Sequence, residues 1–338
     1  MARLPHQNKL YCLMQGIRLT DSGDPGSPAV KLRQIRYFVA VYEEGSFTAA
    51  ARRENATQSG LSMQIKDLEQ ALGVRLFERH PSGVSPTPIG RRLYEHSTRI
   101  LREVSDIALD IASMSGAVTG EVHVGLMPTF TRAILAPALM AFAAEHPHVR
   151  VRVTEAYSGV LTQEIARQAL DFAVVPPGHA VPGISSTYLG TDREYLVTAT
   201  NTARTHLAPV ELAREAGPIR LVVPGPTNAR RGRIDRYLES AGVEVAETLE
   251  MDAMMGTLDL VARSGWVTIL SGVLCAPDRD GARRKLHPLA GPPLTVDYVL
   301  IEPAARSLSQ GARLFAEALS REMARLIEAA EPEQHQKT

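Results

Sequence analysis

Apolar residues in the first third of the chain recur with a helical period. Leu61, Ile65, Leu68 and Leu72 fall at i, i+4, i+7 and i+11, the single buried stripe of a helix. Ser59, Ser62, Met63 and Lys66 repeat on the opposite face, which leaves hydroxyls, a thioether and an amine outward. Thr57 stands at the N-cap position and Gln58 in the first turn, where free amides can hold a phosphate. Before it, Phe47 to Arg53 predicts a shorter helix whose alanines permit close approach, and Glu54-Asn55-Ala56 a tight connection. Leu32 to Glu44 predicts a first helix with Ile35, Phe38, Val39 and Tyr42 inward. Short helix, turn and longer helix with a polar outer face is the helix-turn-helix pattern that fits a DNA major groove. An ordinary antiparallel helix pair has the same bare pattern.

Gly73 ends the longer helix, and His80-Pro81-Ser82-Gly83-Val84-Ser85-Pro86 predicts a hairpin wing. Arg79 and His80 there could reach backbone phosphate or the minor groove, and Ser82 is a further candidate contact. Thr87-Pro88 then caps a long helix. Along it Leu93, Ser97, Ile100, Val104, Ile107, Ile111 and Met114 alternate steps of four and three, a coiled-coil seam through which two copies would pair.

From Gly120 strands alternate with helices. Strands are expected at 122–126, 149–154, 172–175, 219–223, 267–270 and 296–301, and helices at 131–145, 161–169, 231–240, 253–263 and 309–328. That rhythm predicts an α/β unit with a parallel sheet.

Composition adds exclusions. The 338 residues suffice for two or three folded units, and the 37 basic and 37 acidic residues cancel, so any attraction to nucleic acid is local. Within residues 31–92 bases outnumber acids. Cys12 and Cys275 supply neither a disulfide framework nor a zinc set. No run is long and apolar enough for a membrane span and no signal-peptide core is present, so no membrane partner and a cytoplasmic location are expected. Residues 1–29, with Asp21 to Pro28 turn-forming and polar, are expected to be a disordered extension, and Met14 is an alternative start.

The runs Leu32-Arg33-Gln34-Ile35-Arg36-Tyr37-Phe38-Val39-Ala40-Val41 and Glu44-Gly45-Ser46-Phe47-Thr48-Ala49-Ala50-Ala51 resemble the opening of LysR-type transcriptional regulators. So do Gln58, Leu61-Ser62, Gln64-Ile65, Leu68-Glu69, Leu72-Gly73-Val74, Leu76-Phe77-Glu78-Arg79 and Thr87-Pro88-Ile89-Gly90. A more diffuse likeness continues through Met127-Pro128-Thr129, Glu155 to Gly159, Leu170 to Val174, Glu250-Met251-Asp252 and Val267 to Leu270. The resemblance implies an all-α winged helix-turn-helix domain at 30–87, a linker and dimerisation helix at 88–118, and a two-lobed α/β effector domain at 119–338. That domain would resemble periplasmic binding proteins, with lobe I about 119–197 and 297–338 and lobe II about 198–296. The chain would cross between lobes near 198–200 and 293–296. The implied partners are double-stranded DNA, a small organic anion as effector and RNA polymerase, with assembly from homodimer to homotetramer and no cofactor or metal.

On this reading Thr57, Gln58, Ser59, Ser62, Met63, Lys66, Arg79 and Ser82 are the candidate DNA contacts, at an AT-rich interrupted dyad. In α/β sheets ligands bind beyond the carboxyl ends of strands, which makes Thr129, Phe130, Thr131, Ser158, Val175, Pro176, Pro226 and Thr227 the effector candidates. Thr129 serves equally as a helix cap, and Thr227 and Asn228 as turn formers. Departures from the family pattern are Met63, where relatives often carry Arg, Glu54 and Ala56, expected to loosen the turn, and Ser271 in place of a strand-ending proline. The 221–224 and 231–235 runs resemble nitrogen-assimilation regulators; aromatic-acid responders are the other class considered. His146 and His148 have no metal partners in sequence. No dinucleotide fingerprint, P-loop or nucleophile elbow is found, so no enzyme is expected. The competing assignment is a solute-binding or ligand-dependent adaptor protein that uses its N-terminal helices only to dimerise.

Overall fold

The structure is a computed structural model, and it describes residues 30–80, 83–113, 118–214, 217–226 and 228–330. The 1–29 extension, Ser82, Met114 and Thr227 lie outside the described residues. The chain divides into two compact units, one running through Ala112 with Ala304–Ser307, the other Ser113–Pro303 with the chain from Leu308.

The first unit begins with helices α1 (Leu32–Glu44), α2 (Phe47–Arg53) and α3 (Gln58–Leu72). The inward stripe read from the sequence closes one core, where Phe38, Leu61 and Leu68 are wholly buried with Ile65 and Leu76 beside them. Caps fix the helix ends. Ser46 accepts the Ala49 amide at 3.3 Å and Thr57 accepts that of Gly60 at 3.2 Å. Gly73 ends α3 at φ 66°, a left-handed conformation that glycine adopts without strain. Asn55 takes φ 52° in the connecting turn. The loosening expected of Glu54 is not seen: its carboxylate accepts from Arg36 at 2.8 Å and its amide bonds Ala50. Strands β1 (Phe77–His80) and β2 (Gly83–Pro86) pair antiparallel as the wing.

Helix α4 (Pro88–Ser113) follows. The Thr87 hydroxyl bonds the Arg75 carbonyl at 2.9 Å and accepts the Gly90 amide at 3.0 Å, anchoring the start of α4 to the segment between α3 and β1. Tyr94 stacks on Tyr42 with centroids 3.9 Å apart and donates to Glu43 at 2.8 Å; Glu43 also pairs with Arg53 at 2.7 Å. The predicted seam divides in two. Leu93 packs on the unit's own core and Ser97 is buried, whereas Ile100, Val104, Ile107 and Ile111 remain 37% to 66% exposed.

The second unit is α/β in the expected order, with corrections. The helix read at 131–145 is two, α5 (Pro128–Ala133) and α6 (Leu135–Glu145). Pro137 has no amide to give the Ala133 carbonyl, so the ladder is interrupted there. Parallel pairing holds only within each lobe. In lobe I, β3 (Gly120–Leu126) lies between β4 (Val149–Glu155) and β5 (Phe172–Val175). In lobe II, β7 (Ile219–Val223) lies between β8 (Val245–Glu250) and β9 (Val267–Ser271). The long strands β6 (Ile184–Ala199) and β11 (Thr295–Pro303) pair antiparallel and join the lobes, because a chain that leaves a lobe and returns crosses in opposite directions. β6 changes partner from β11 to β9 between Arg193 and Glu194, so the outgoing crossing precedes 198–200; the return enters β11 at Thr295. β10 (Arg284–Pro288) pairs along β6.

Helices α7 (Ser158–Ala166), α8 (Arg231–Ala241), α9 (Met254–Arg263), the short α10 (Gly272–Cys275) and α11 (Gln310–Glu328) complete the unit. Lobe I is centred on Phe130, Phe142, Phe172, Phe315 and Tyr298. Lobe II has a core on each sheet face, one around Leu221 and Ile269, the other around Val222, Val261 and Leu286.

Candidate functional site

Helix α3 presents the outward face that its spacing predicts. Gln58, Ser59 and Lys66 are exposed and Met63 is 60% exposed, while Leu61, Ile65 and Leu68 anchor the inner face. Thr57, also exposed, is held as the cap. Ser62 and Arg79 behave differently. The Arg79 guanidinium lies 4.8 Å over the Phe47 ring and donates to the Ser62 hydroxyl at 3.2 Å, so this cation ties the wing to α2 and α3. Several bases counted in the local excess are likewise paired, Arg36 with Glu54 and Arg53 with Glu43 and Glu44. Arg33, Arg52, Lys66, Arg75 and Arg92 remain exposed.

In the second unit a narrow cleft lies between the lobes. On the lobe I side it is lined by Thr129, Ser158 and Pro176 of the predicted set, with Tyr157 beside them. Phe130 and Val175 are buried behind that wall, Phe130 edge-on to Tyr298, and neither lines the cleft. The Thr131 hydroxyl turns to Glu155 and the Pro128 carbonyl instead. Pro226 is exposed and off the cleft.

Sequence reasoning missed most of the lobe II wall. It comprises Asn228 and Arg230 with Met251, Met254, Val222 and Thr268. Only Asn228 carried a local signal, a turn former directly after a strand end. Arg230 donates through Nη2 to Glu194 at 2.8 Å and to the Ile269 carbonyl at 2.8 Å, so a cation from one segment is matched by a carboxylate at the β6 crossing. Asp252 accepts the Gly225 amide at 3.1 Å; a β-carbon at Gly225 would collide with that carboxylate, which explains the glycine.

Two further contacts hold the lobes together. Tyr157 donates its hydroxyl to the Asp252 carbonyl at 3.0 Å, and burial, reinforced by the Asp252 charge, pushes its phenol up and keeps it protonated. Buried Asp278 of lobe II accepts from Arg132 of α5 at 2.7 Å and from Arg284 of β10 at 2.7 Å. At the crossing itself, Asp192 is buried and accepts the Val273 amide at 2.7 Å. Burial pushes its carboxyl up to about 7, against the opposing pull of that amide.

No group of three or more His, Cys, Asp or Glu side chains among the described residues could hold a metal ion. Burial raises the Cys275 thiol far above its ordinary range, which makes it inert. No described helix is long and apolar enough to cross a membrane.

Comparison with known proteins agrees with this architecture. Residues 32–91 match the bacterial regulatory helix-turn-helix proteins of the lysR family, and residues 115–324 the LysR substrate binding domain. The nitrogen assimilation regulatory protein nac of Escherichia coli is 26% identical over 291 residues, covering 86% of this chain and 94% of that protein. The SDS degradation transcriptional activation protein of a Pseudomonas species is 29% identical over 301 residues, covering 83% and 92%. Among solved structures, a cysteine-substituted, H2O2-bound OxyR of Corynebacterium glutamicum aligns with TM-score 0.55 and 21% identity over 89% of this chain and 96% of its own. Full-length CbnR complexed with its target DNA aligns with TM-score 0.50 and 23% identity over 86% and 99%. At such identities these two speak for the fold alone. Regulators of this family pair a DNA-binding helix-turn-helix with a domain that binds a small-molecule effector. The resemblance read from the N-terminal motif is therefore confirmed across both units, and the chain belongs to the LysR family of transcriptional regulators.

Proposed function

We propose that this regulator reads DNA through Gln58, Ser59, Met63 and Lys66 of α3, with Thr57 and the first-turn amides on phosphate. A small organic anion in the cleft, held by Thr129 and Ser158, would control it. The observation that carries the effector assignment is the convergence of helix N-termini. The first turns of α5, α7 and α9 contribute Thr129, Ser158 and Met254 to the cleft wall, and Asn228 and Arg230 enter it just before α8. At α7 and α9 the first turn brings the positive end of a helix dipole to the cleft wall. Arg230 is already matched by Glu194, so the field left for a ligand comes from these backbone ends.

The cleft as it stands holds about 30 Å³, room for a water or two. An effector therefore enters as the lobes move apart about the two crossing strands, and favours the lobe arrangement to which it binds more tightly. The exposed stripe Ile100, Val104, Ile107 and Ile111 of α4 supports pairing of two chains, from which the tetramer is built. Working on DNA, with RNA polymerase as the further partner, the protein would act in the cytoplasm and carry out no catalysis. The domain limits proposed with this function are 30–87, 88–118 and 119–338.

Thermal-shift screening of organic acids against the full chain tests the effector. A stabilising acid whose affinity falls about tenfold in Thr129→Val supports the cleft; an affinity unchanged by Thr129→Val places the ligand elsewhere. A mobility shift on the DNA upstream of its own gene tests the other half. Tight binding of a small molecule without any shift would favour the adaptor alternative.

A further inference from the structure

The outer face of α3 has an unusual chemistry for a surface that meets DNA. Its sequence from Gln58 to Leu72 contains one cation, Lys66, and no arginine. The nearest arginine, Arg79, is engaged by the Phe47 ring and the Ser62 hydroxyl. That contact also occupies Ser62, one of the hydroxyls on the face. What remains outward is the Gln58 amide, the Ser59 hydroxyl, the Lys66 amine and, between the last two, the Met63 side chain at 60% exposure, with Asp67 and Gln70 exposed toward the end of the helix. Met63 follows Ser59 by four residues and precedes Lys66 by three, so the three side chains share one stripe. A helix with Leu61, Ile65 and Leu68 buried has no packing need for a second apolar group on the solvent side.

A thioether offers no hydrogen-bond donor, so it cannot make the paired contact to guanine O6 and N7 that an arginine makes. The apolar group displayed by a base pair in the major groove is the 5-methyl of thymine. We infer that Met63 is a specificity-determining residue that packs its thioether end on the 5-methyl group of a thymine in each half-site. This deepens the reading that α3 enters the major groove, and rests on it. Met63 sits between Ser59 and Lys66, so the thymine it reads is flanked by their contacts. With Arg79 held back, the register of the half-site at this point is set by an apolar contact rather than by a charged one.

The test uses the full chain and duplexes selected by it from randomised DNA. Each thymine of one half-site is replaced in turn by 2′-deoxyuridine, which keeps the pairing and removes only the methyl group. At one position the wild-type protein should lose about fourfold in affinity, the effect of one methyl-sized apolar contact. Met63→Ala should be indifferent to that same replacement while responding as wild type to the others. Met63→Arg should move the selected base there to guanine. Lys66→Ala is measured in parallel on the same duplexes. If it weakens binding but no thymine distinguishes wild type from Met63→Ala, Met63 is only a surface methionine and the inference is overturned. If neither Lys66→Ala nor any Met63 variant changes binding, the placement of α3 in the groove fails with it.

Discussion

The proposed recognition face and the proposed effector cleft are built in opposite ways. The face on α3 comes from one continuous segment whose inward residues are a helix period away from its outward ones. One cap, one glycine and three buried side chains suffice to present it. The cleft draws on segments around 127–129, 157–158, 176, 222–230, 251–257 and 268–270, none of which forms a site alone. Its lining cation Arg230 is held by Glu194, far away in sequence, and the lobes are tied further by Asp278 with Arg132 and Arg284. A local surface can be altered without consequence for folding, whereas the cleft shares its charged groups with the core that holds the lobes together.

The largest test of that contrast is Asp278→Ala. It leaves the Arg132 and Arg284 guanidinium groups facing each other in the interior, and should destabilise the effector unit by about 3–5 kcal/mol in denaturant unfolding. DNA affinity measured well below the transition should persist; its loss in parallel would mean that the two regions do not stand apart. Next is Asp192. Its folded carboxyl titrates at about 7 against an ordinary value of 3.8, so the folded state binds the extra proton. Its contribution to stability is complete below the ordinary value and disappears as pH rises through about 7, by on the order of a few kcal/mol. Stability followed from pH 4 to 8 should therefore fall less in Asp192→Asn than in wild type. Identical profiles would show that Asp192 is ionised without cost.

Smaller effects separate ligand from scaffold. Thr129→Val removes one hydroxyl from the cleft wall and should weaken a bound organic acid about tenfold, roughly 1.4 kcal/mol. Melting of the free protein should stay within a degree or two, and an equal loss in the unliganded melting temperature would assign Thr129 to structure. Smallest is Lys66→Ala. If its amine meets a phosphate, the slope of log affinity against log salt should become shallower by about 0.9, with no change in stability. An unchanged slope would move Lys66 to base contact or to solvent.

The same contrast decides what the sequence could disclose. The helix-turn-helix, its cap at Thr57 and the stop at Gly73 depend on neighbours within a few turns, and they were legible as spacing. The wing was legible from its prolines and glycine, but the position of Arg79 was not, because a cation over Phe47 is a contact across three elements. Strand β6 escaped notice because Ser185, Ser186, Gly190, Asp192, Arg193 and Glu194 break any alternation of apolar residues. Its pairing on both sides, and the passage from one lobe to the other, bury Asp192 and Glu194 in ways that only the tertiary structure supplies. Thr129, Ser158 and Pro176 were found because they directly follow strand ends. Arg230, Met251 and Met254 were missed because nothing local distinguishes a cleft-lining arginine or methionine from a surface or core one. Phe130 and Val175 were over-assigned for the complementary reason: adjacency to a strand end does not say which side of the backbone faces the cleft.

Whether the outward face of α3 meets the bases is tested most directly by Ser59→Glu. Ser59 is exposed in the first turn, where a carboxylate favours the helix dipole, so the fold should be unharmed or slightly stabilised. In the groove, however, the new charge would face the DNA polyanion without a partner. A like-charge contact of that kind costs several kcal/mol, so affinity for the upstream duplex should fall more than a hundredfold while the melting temperature holds. Wild-type affinity in Ser59→Glu, with the protein fully folded, would contradict the account.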